Sequence, residues 1–595
     1  MKTERKTHRD IIEGWYPFSK EEIETYVSRK IWHNLTFGDI LDRNAASIPD
    51  KVAIIDDTRE VTWQQLKQRS SRLALHFKKR GLEYGDFAVV VTPNVVEFFY
   101  ILFGMARMGV IPVMCLPRQR KLEVSHMIRL HQAKAVIVPS EEKFDFVGMI
   151  NEVRPENPSL KFFFTVSGKP VPKWICVEEL LAQEIEKEYP QDYLEPFRPD
   201  PNDIVVEQLS GGTTGLPKGI PRTHNEYLCL WDGAARRAGM TDESVFLCTT
   251  PVAHNMPFSA IYGPMFWRGG TTVITKSMRP EEHFKLIEKH KITNVEMVPV
   301  VVTYWMEAEE IRKKYDLSSL RVIGCGAQKV KPELVKWCME ELGVCFTNTF
   351  GMTEGPHICT RWHNPLEVQC NTVGRPPILD SSLVVKLVDD HNREVKPGEV
   401  GEMIMKGPLT FKGYFRAPEE NAKTFDEEGF FHSGDLMSLR ADGRYVVEGR
   451  KKDTIIRGGE NVYPEPVEAL LVEHRKIRNA AVVGMPDPKL GEKLCAFVQL
   501  VEGEKLSFED VKAYMRDKGI AVFQWPERLE IVQGWPLTAL NKIDKRFLRV
   551  YIANKLFEEG TISKELGDEF LTKDKVTLND IQTGKVRIDF TGSPR

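Results

Sequence analysis

The sequence predicts an α/β protein: a large N-terminal body of parallel α/β subdomains plus a β-rich subdomain, with a small mobile α+β C-terminal domain. Three observations lead there. Residues 87–115 carry a strand–helix–strand unit, and several other segments are unbroken apolar runs of strand length, the mark of strands covered on both faces. From about Val373 the texture changes to short strands separated by Gly turns.

Phe87 to Val91 (FAVVV) reads as a strand, Thr92-Pro93-Asn94 as a turn, Val95 to Met108 as a helix stopped by Gly109, and VIPVMC as a second strand. AKAVIVPS and KFFFTVS repeat the strand pattern, and ITNVEMVPV and RVIGCG extend it further along the chain. SSLVVKLV, GEVGEMIMKG and GRYVVEGR then form the β-rich subdomain that ends the body at residue 449. Arg450-Lys451-Lys452 marks a boundary. Beyond it AAVVGMP, KLCAFVQLV, the helix FEDVKAYMRDKG and the strand RLEIV alternate over residues 453–556, enough chain for a small domain with its own core. Residues 557–595 are polar, without strong periodicity, and are expected to be an extension.

Composition excludes several classes of function. The chain of 595 residues is 42% hydrophobic and 28% charged, far from the signature of disorder. Lys plus Arg number 82 against 85 Asp plus Glu, so no basic field points to nucleic acid. Ten Cys include no C-x-x-C pair, which fits reduced thiols in the cytoplasm better than disulfides or zinc, and Cys325, Cys338 and Cys345 are expected to pack. The N-terminus lacks the apolar core of a signal peptide. The most apolar stretch is interrupted by Pro93, Asn94, Glu97 and Arg107, so no membrane insertion is expected.

Chemistry is written most densely from Ser210 to Gly219, SGGTTGLPKG, directly after the apolar Ile204-Val205-Val206. Gly211, Gly212 and Gly215 free main-chain N–H groups to turn toward an anion, Ser210, Thr213 and Thr214 add donors, and Lys218 adds a point charge for outer phosphates. Lys218 is followed by Gly219 and not by Ser or Thr, so this is no Walker loop and a P-loop motor is disfavoured.

With FGMTE at Phe350 to Glu354 and HSGD at His432 to Asp435, this loop resembles the adenylate-forming superfamily of acyl-CoA synthetases, adenylation domains and luciferases. The resemblance spans nearly Leu35 to Leu556 and implies ATP and Mg²⁺ as cofactors. It places Phe350, with Gly351 and Met352, against adenine, Thr353 at the α-phosphate, and Glu354 with Thr213 at the metal. An aromatic face and a carboxylate suit a nucleotide with its metal. By the same resemblance Gly326, Ala327 and Gln328 line the adenine with backbone, and Asn348 bonds its exocyclic amine. Asp435 accepts both ribose hydroxyls with Arg450 assisting, as a carboxylate can. Lys542, in PLTALNKIDKRFL, corresponds to the catalytic Lys of the first half-reaction; Asn541 stands where the family has Gly, and Asn also tolerates the left-handed region. The resemblance makes 1–449 the adenylation body, 450–452 a hinge pivoting at Lys452, and 453–556 a lid. Lid rotation would bring Arg457, Gly458 and Gly459 toward a thiol.

Pro251 to Ala260, PVAHNMPFSA, is most similar to the acyl-pocket segment of 2,3-dihydroxybenzoate:AMP ligases and related aryl-acid enzymes. It implies a pocket of His254, Asn255, Met256, Ala260, Thr349 and His357. Ala260 stands where those enzymes carry a Ser for a second ring hydroxyl, so the acid expected is a benzoate, salicylate, aminobenzoate or heteroaryl carboxylate, with His357 reading a ring substituent or packing in the core. For the acceptor, the pocket resembles enzymes loading carrier proteins, whereas Gly459 to Pro464 resembles CoA ligases; CoA is favoured, and a phosphopantetheinyl carrier would act in trans. Alternatives are a dihydroxybenzoate:AMP ligase loading such a carrier, an aliphatic acyl-CoA ligase, a luciferase-like catalyst, and a non-catalytic nucleotide-binding regulator.

Overall fold

The computed structural model describes residues 6–190, 192–209, 216–327, 329–378, 380–458, 460–519, 521–538, 542–583 and 585–586. Among these described residues the strands form sheets of seven, eight, four and five strands. The seven-stranded sheet runs in the order Ile175–Cys176, Phe162–Val166, Ala135–Pro139, Phe87–Val91, Ile111–Cys115, Ile204–Leu209 and Gly219–Thr223. All its neighbours are parallel except the last pair. Phe87–Val91 and Ile111–Cys115 are buried at every residue, as unbroken apolar runs require. The helix between them, Glu97–Ala106, is buried all round, and its N-terminal Glu97 is paired with Arg59. It begins two residues later than the sequence predicts. Gly109, at φ +67, occupies the left-handed turn that ends the segment.

The eight-stranded sheet runs His357–Cys359, Cys345–Gly351, Val322–Gly326, Asn294–Met297, Val245–Cys248, Thr271–Ile274, Val52–Ile55 and Glu60–Thr62. It is parallel inside and antiparallel at both edges. The helix His224–Arg237 packs between the two large sheets, and Phe37, Trp231, Phe258, Tyr262 and Phe266 fill the space around it. Thr223 caps this helix, and its side chain and backbone N–H both reach Glu226 in a reciprocal box.

Residues from Val384 onward form the antiparallel sheet Val384–Val388, Val400–Lys406, Phe431–Leu439 and Tyr445–Arg450. A short 3-10 turn, Lys451–Asp453, leads out of it. The small C-terminal sheet contains Ile455–Arg457, Glu460–Val462, Ile477–Asp487, Gly491–Leu500 and Arg528–Ile531, backed by the helices Pro464–Val472, Phe508–Asp517 and Lys545–Glu558.

Beyond residue 556, where the sequence shows no periodicity, the chain forms the helices Lys564–Phe570 and Leu578–Gln582. They bury Leu571, Val576, Leu578 and Ile581 against Val550 and Ala553 of the preceding helix. Arg549 pairs with Asp574 at 3.2 Å, and Arg546 donates to the Asp574 carbonyl. The apolar positions are too few per helix to display a period, so only the docked arrangement reveals them. No helix among the described residues is long and apolar enough to cross a membrane.

Candidate active site

Strand register builds the first half of the site. Asp435 lies opposite Arg450 in the antiparallel pair Phe431–Leu439 and Tyr445–Arg450, and Arg450 Nε sits 2.6 Å from Asp435 Oδ1. The second carboxylate oxygen, Oδ2, is buried and has no hydrogen-bond partner among the described residues. A buried acceptor left unmatched costs about 1–3 kcal/mol, so this atom is built for a ligand. Burial pushes the Asp435 carboxyl up to about 6, against the pull of Arg450 and Lys542. The turn before it is locked: Gly434 takes φ +70 and donates to Glu402 Oε1, and Ser433 Oγ accepts from the Asp435 N–H while donating to the Met403 carbonyl.

Lys542 reaches this pair from the small domain. Its backbone N–H and carbonyl bond Thr538 across a tight turn, and Leu537 bridges Ile543. Burial, with repulsion from Arg450 and Lys452, lowers the Lys542 ammonium to about 8, while Asp435 opposes the shift. His254 is lowered to about 4, first by burial and then by the charges of Lys542 and Arg118. The charges of Asp435, Arg450 and Lys452 thus act on Lys542, and the charge of Lys542 acts on His254. Burial also lowers Lys452, in the turn between the two bodies. Arg457 lies outside this group. It pairs with Glu527 at 2.6 Å inside the small domain, and Gly458, at φ +58, donates to the Leu490 carbonyl.

The FGMTE segment is held from behind by a residue that the motifs do not reveal. Arg222 is fully buried; it pairs with Glu226 at 3.0 Å, donates to the carbonyls of Thr353 and Leu409, and lies over the Tyr227 ring. Tyr414 donates to Glu354 Oε1 at 2.9 Å, and Lys218 packs over the Tyr414 ring while pairing with Glu420. Lys218 and Glu354 thus meet through one tyrosine. Nothing in the linear sequence marks Arg222 or Tyr414 as neighbours of the FGMTE segment.

Phe350 and Asn348 lie on one face of Cys345–Gly351, as residues two apart in a strand must. The Asn348 amide nitrogen donates to the Gln369 carbonyl at 3.1 Å, which leaves its oxygen as the side chain's acceptor. Gly326 ends the neighbouring strand, and Ala327 follows at φ +67, a left-handed conformation that costs a non-Gly residue about 1–2 kcal/mol. Such strain is typical where backbone faces a ligand.

Thr349, Gly351 and His357 occupy the opposite face, with Gly351 registered against His357. His357 Nδ1 is buried without a partner, and burial followed by the Arg237 charge lowers the ring to about 4, so it is neutral. Asn255 accepts from Tyr227 at 2.8 Å and donates to the Met352 carbonyl, which ties this segment to the residue that follows the strand Cys345–Gly351. His254 caps the helix Asn255–Ala260 through the Met256 N–H, and Ala260 is buried. Ser210, Gly211, Gly212, Thr213, Thr214, Gly215, Gln328, Gly459 and Asn541 lie outside the described residues. Among the described residues no group of three or more His, Cys, Asp or Glu side chains gathers into a metal cage. Glu354 is a single carboxylate, the number with which Mg²⁺ is bound when phosphates supply its other ligands.

Comparison with known proteins gives concordant matches. The AMP-binding enzyme profile covers residues 41–415, and the profile of the AMP-binding enzyme C-terminal domain covers residues 466–542. The chain is 36% identical over 549 residues to a 2,3-dihydroxybenzoate-AMP ligase of Bacillus subtilis (strain 168), covering 92% of this chain and 99% of that protein. It is 33% identical over 546 residues to a salicylyl-CoA synthase / salicylate adenylyltransferase of a Streptomyces species, covering 91% and 98%. Among solved structures, apo MbtA of Mycobacterium smegmatis superimposes with a TM-score of 0.68 at 32% identity, covering 90% of this chain and 98% of that one.

Proposed function

The chain belongs to the AMP-binding enzyme family, and from that premise we propose that it activates an aromatic carboxylic acid as its adenylate and transfers the acyl group to a thiol. The observation that carries this reading is the Asp435–Arg450 pair with Lys542 beside it: an acceptor oxygen awaiting a ribose and an ammonium supplied by a second domain. In the first step a carboxylate oxygen attacks the α-phosphorus of ATP, the P–O bond to the β-phosphate breaks, and pyrophosphate departs. In the second a thiol adds to the acyl carbonyl, the bond to AMP breaks, and the thiol proton passes to solvent.

The residues divide the work. Asp435 orients the ribose through Oδ2, Phe350 and the Asn348 oxygen hold adenine, and Thr353 and Lys218 meet phosphate oxygens. Glu354 would hold Mg²⁺, which when bound offsets phosphate charge. Lys542 lies between acid and α-phosphate, where negative charge grows in the transition state. Asn255 and the Thr349–His357 face receive the ring, a reading supported by the aryl-acid relatives. We assign CoA as the acceptor; the Bacillus and Streptomyces relatives carry AMP-ligase and CoA-synthase names respectively, so a carrier protein is the alternative outcome. The ten unbridged cysteines support a reducing, cytoplasmic setting.

Acid-dependent ATP–pyrophosphate exchange tests the reading. Strong exchange with aromatic acids and a CoA thioester seen by mass are expected; exchange confined to aliphatic acids would overturn the pocket assignment, and a thioester formed only on a carrier would overturn CoA.

The pH profile should carry a further mark. The charged form of Lys542 is the useful one, and a lysine loses its charge as pH rises. Exchange kcat/KM, which reports the free enzyme, is expected to fall as pH rises through about 8. Lys542→Arg, whose side chain stays charged, should shift that limb upward; an unmoved limb would assign it to another group.

A further inference from the structure

We propose that Glu296 is a specificity determinant that reads an amino group on the ring of the aromatic acid, an inference that rests on the acid-activating reading above. Glu296 belongs to none of the motifs, yet it lies on the buried strand Asn294–Met297, with Thr349 of the proposed acyl pocket beside it. The register Glu296–Gly324–Thr347 across three parallel strands, and Gly326–Thr349 two residues on, puts all of these on one face of the sheet. The antiparallel edge strand adds His357 to the same face. This face looks toward the end of the helix His224–Arg237: Asn294, two residues before Glu296, donates to the Ala238 carbonyl, and Arg237 donates to the Cys359 carbonyl.

The carboxyl occupies room that a glycine provides. A Cβ at Gly324 would collide with Glu296 Oε2, so any larger residue there would evict the acid. Thr349, a pocket residue, is its hydrogen-bonding partner, and Oε1 is buried with none among the described residues. Glu296 is 4% exposed, and burial raises its carboxyl to about 8. A carboxyl group in such a place is abnormal for a structural core, because an apolar residue of similar size would avoid the desolvation. Its unmatched acceptor is matched by a donor brought in with the ligand.

An amino group fits better than a hydroxyl because the face offers a second unmatched atom, His357 Nδ1, also buried and on the same side of Thr349. An arylamine carries two N–H donors, a phenol one O–H. Ala260, on the Asn255–Ala260 helix, is apolar and offers no side-chain partner to a ring hydroxyl. A site built to hydrogen-bond a substrate group rejects the analogue that lacks it far more strongly than an apolar pocket rejects an extra group, because its own buried atoms are left unpaired.

The test is ATP–pyrophosphate exchange with benzoate, the three aminobenzoates and the three hydroxybenzoates, in the full chain and in its Glu296→Ala and Glu296→Gln variants. One aminobenzoate is expected to exceed benzoate in kcat/KM by at least about a hundredfold. Glu296→Ala should reduce that ratio at least tenfold while benzoate exchange persists. Glu296→Gln, which keeps one donor and one acceptor like a neutral carboxyl, should retain most of the preference, and AMP binding by calorimetry reports whether either variant is folded. A hydroxybenzoate preferred over every aminobenzoate would overturn the amino assignment. An unchanged ratio in Glu296→Ala that still binds AMP would overturn the role of Glu296. If Glu296→Ala does not bind AMP, Glu296→Leu, of similar size and without polar atoms, decides: a ratio reduced at least tenfold with AMP binding intact supports contact with the ring, and an unchanged ratio overturns it. Exchange with no acid at all, by wild-type enzyme that binds AMP, would overturn acid activation itself and this inference with it.

Discussion

Lys542→Ala is expected to slow adenylate formation by about 10²- to 10³-fold, the loss that follows removal of one preorganised donor to a developing charge. The same variant should convert synthetic acyl-adenylate and thiol to thioester at close to the wild-type rate. The two steps separate in the proposed mechanism because the ammonium meets the charge that crowds the α-phosphate as the carboxylate attacks it, whereas addition of a thiol develops its charge first on the acyl carbonyl oxygen. Single-turnover measurement of each half-reaction, with labelled ATP for the first and purified adenylate for the second, checks the split. Equal loss in both would mean that Lys542 holds the nucleotide in both steps and does not act on the first alone. The position of the residue supports the selective outcome: Thr538 bonds its backbone, and burial with the charges of Arg450 and Lys452 already disfavours its ammonium, so the phosphate oxygens of the proposed substrate would relieve that repulsion. That relief is a source of binding energy specific to an anionic ligand.

Arg222→Met is expected to be the most damaging single change to the body, lowering stability by about 3–5 kcal/mol because it leaves the buried Glu226 carboxylate without its counter-ion. Two carbonyls, of Thr353 and Leu409, lose their donor in the same stroke. The chain behind Glu354, the proposed metal ligand, would then be free to drift, so nucleotide affinity should fall together with stability. Thermal unfolding and ATP binding measured on the same preparations check both parts. The double variant Arg222→Met, Glu226→Met removes the stranded charge, and should recover part of the stability while leaving nucleotide affinity low. Recovery of both would show that Arg222 serves folding alone.

Much of this was legible in the linear chain because the nucleotide motifs are local. FGMTE, HSGD and the lysine segment each carry their chemistry within a few residues, and the parallel strands declare themselves as unbroken apolar runs. What stayed hidden depends on register or on long-range contact. Glu296 sits in ITNVEMVPV, where it reads as an interruption of an apolar strand. Its meaning emerges only when the glycine opposite it on the next strand, Gly324, is seen to make room for it. Arg222 is one charged residue in a five-residue strand, and its partners lie 131 and 187 residues away. Helices beyond residue 556 bury one or two side chains each, too few to imprint a period. The phosphate loop is the converse: its composition announces anion binding plainly, through residues whose backbone geometry is not needed for the reading.

The carboxy-terminal helices have a consequence for how the lysine moves. The helix Lys545–Glu558 begins three residues after Lys542, and Arg546 and Arg549 fasten it to Asp574. If residues 453–556 rotate about Lys452 as the family resemblance implies, the last segment travels with Lys542 as part of the same packed body.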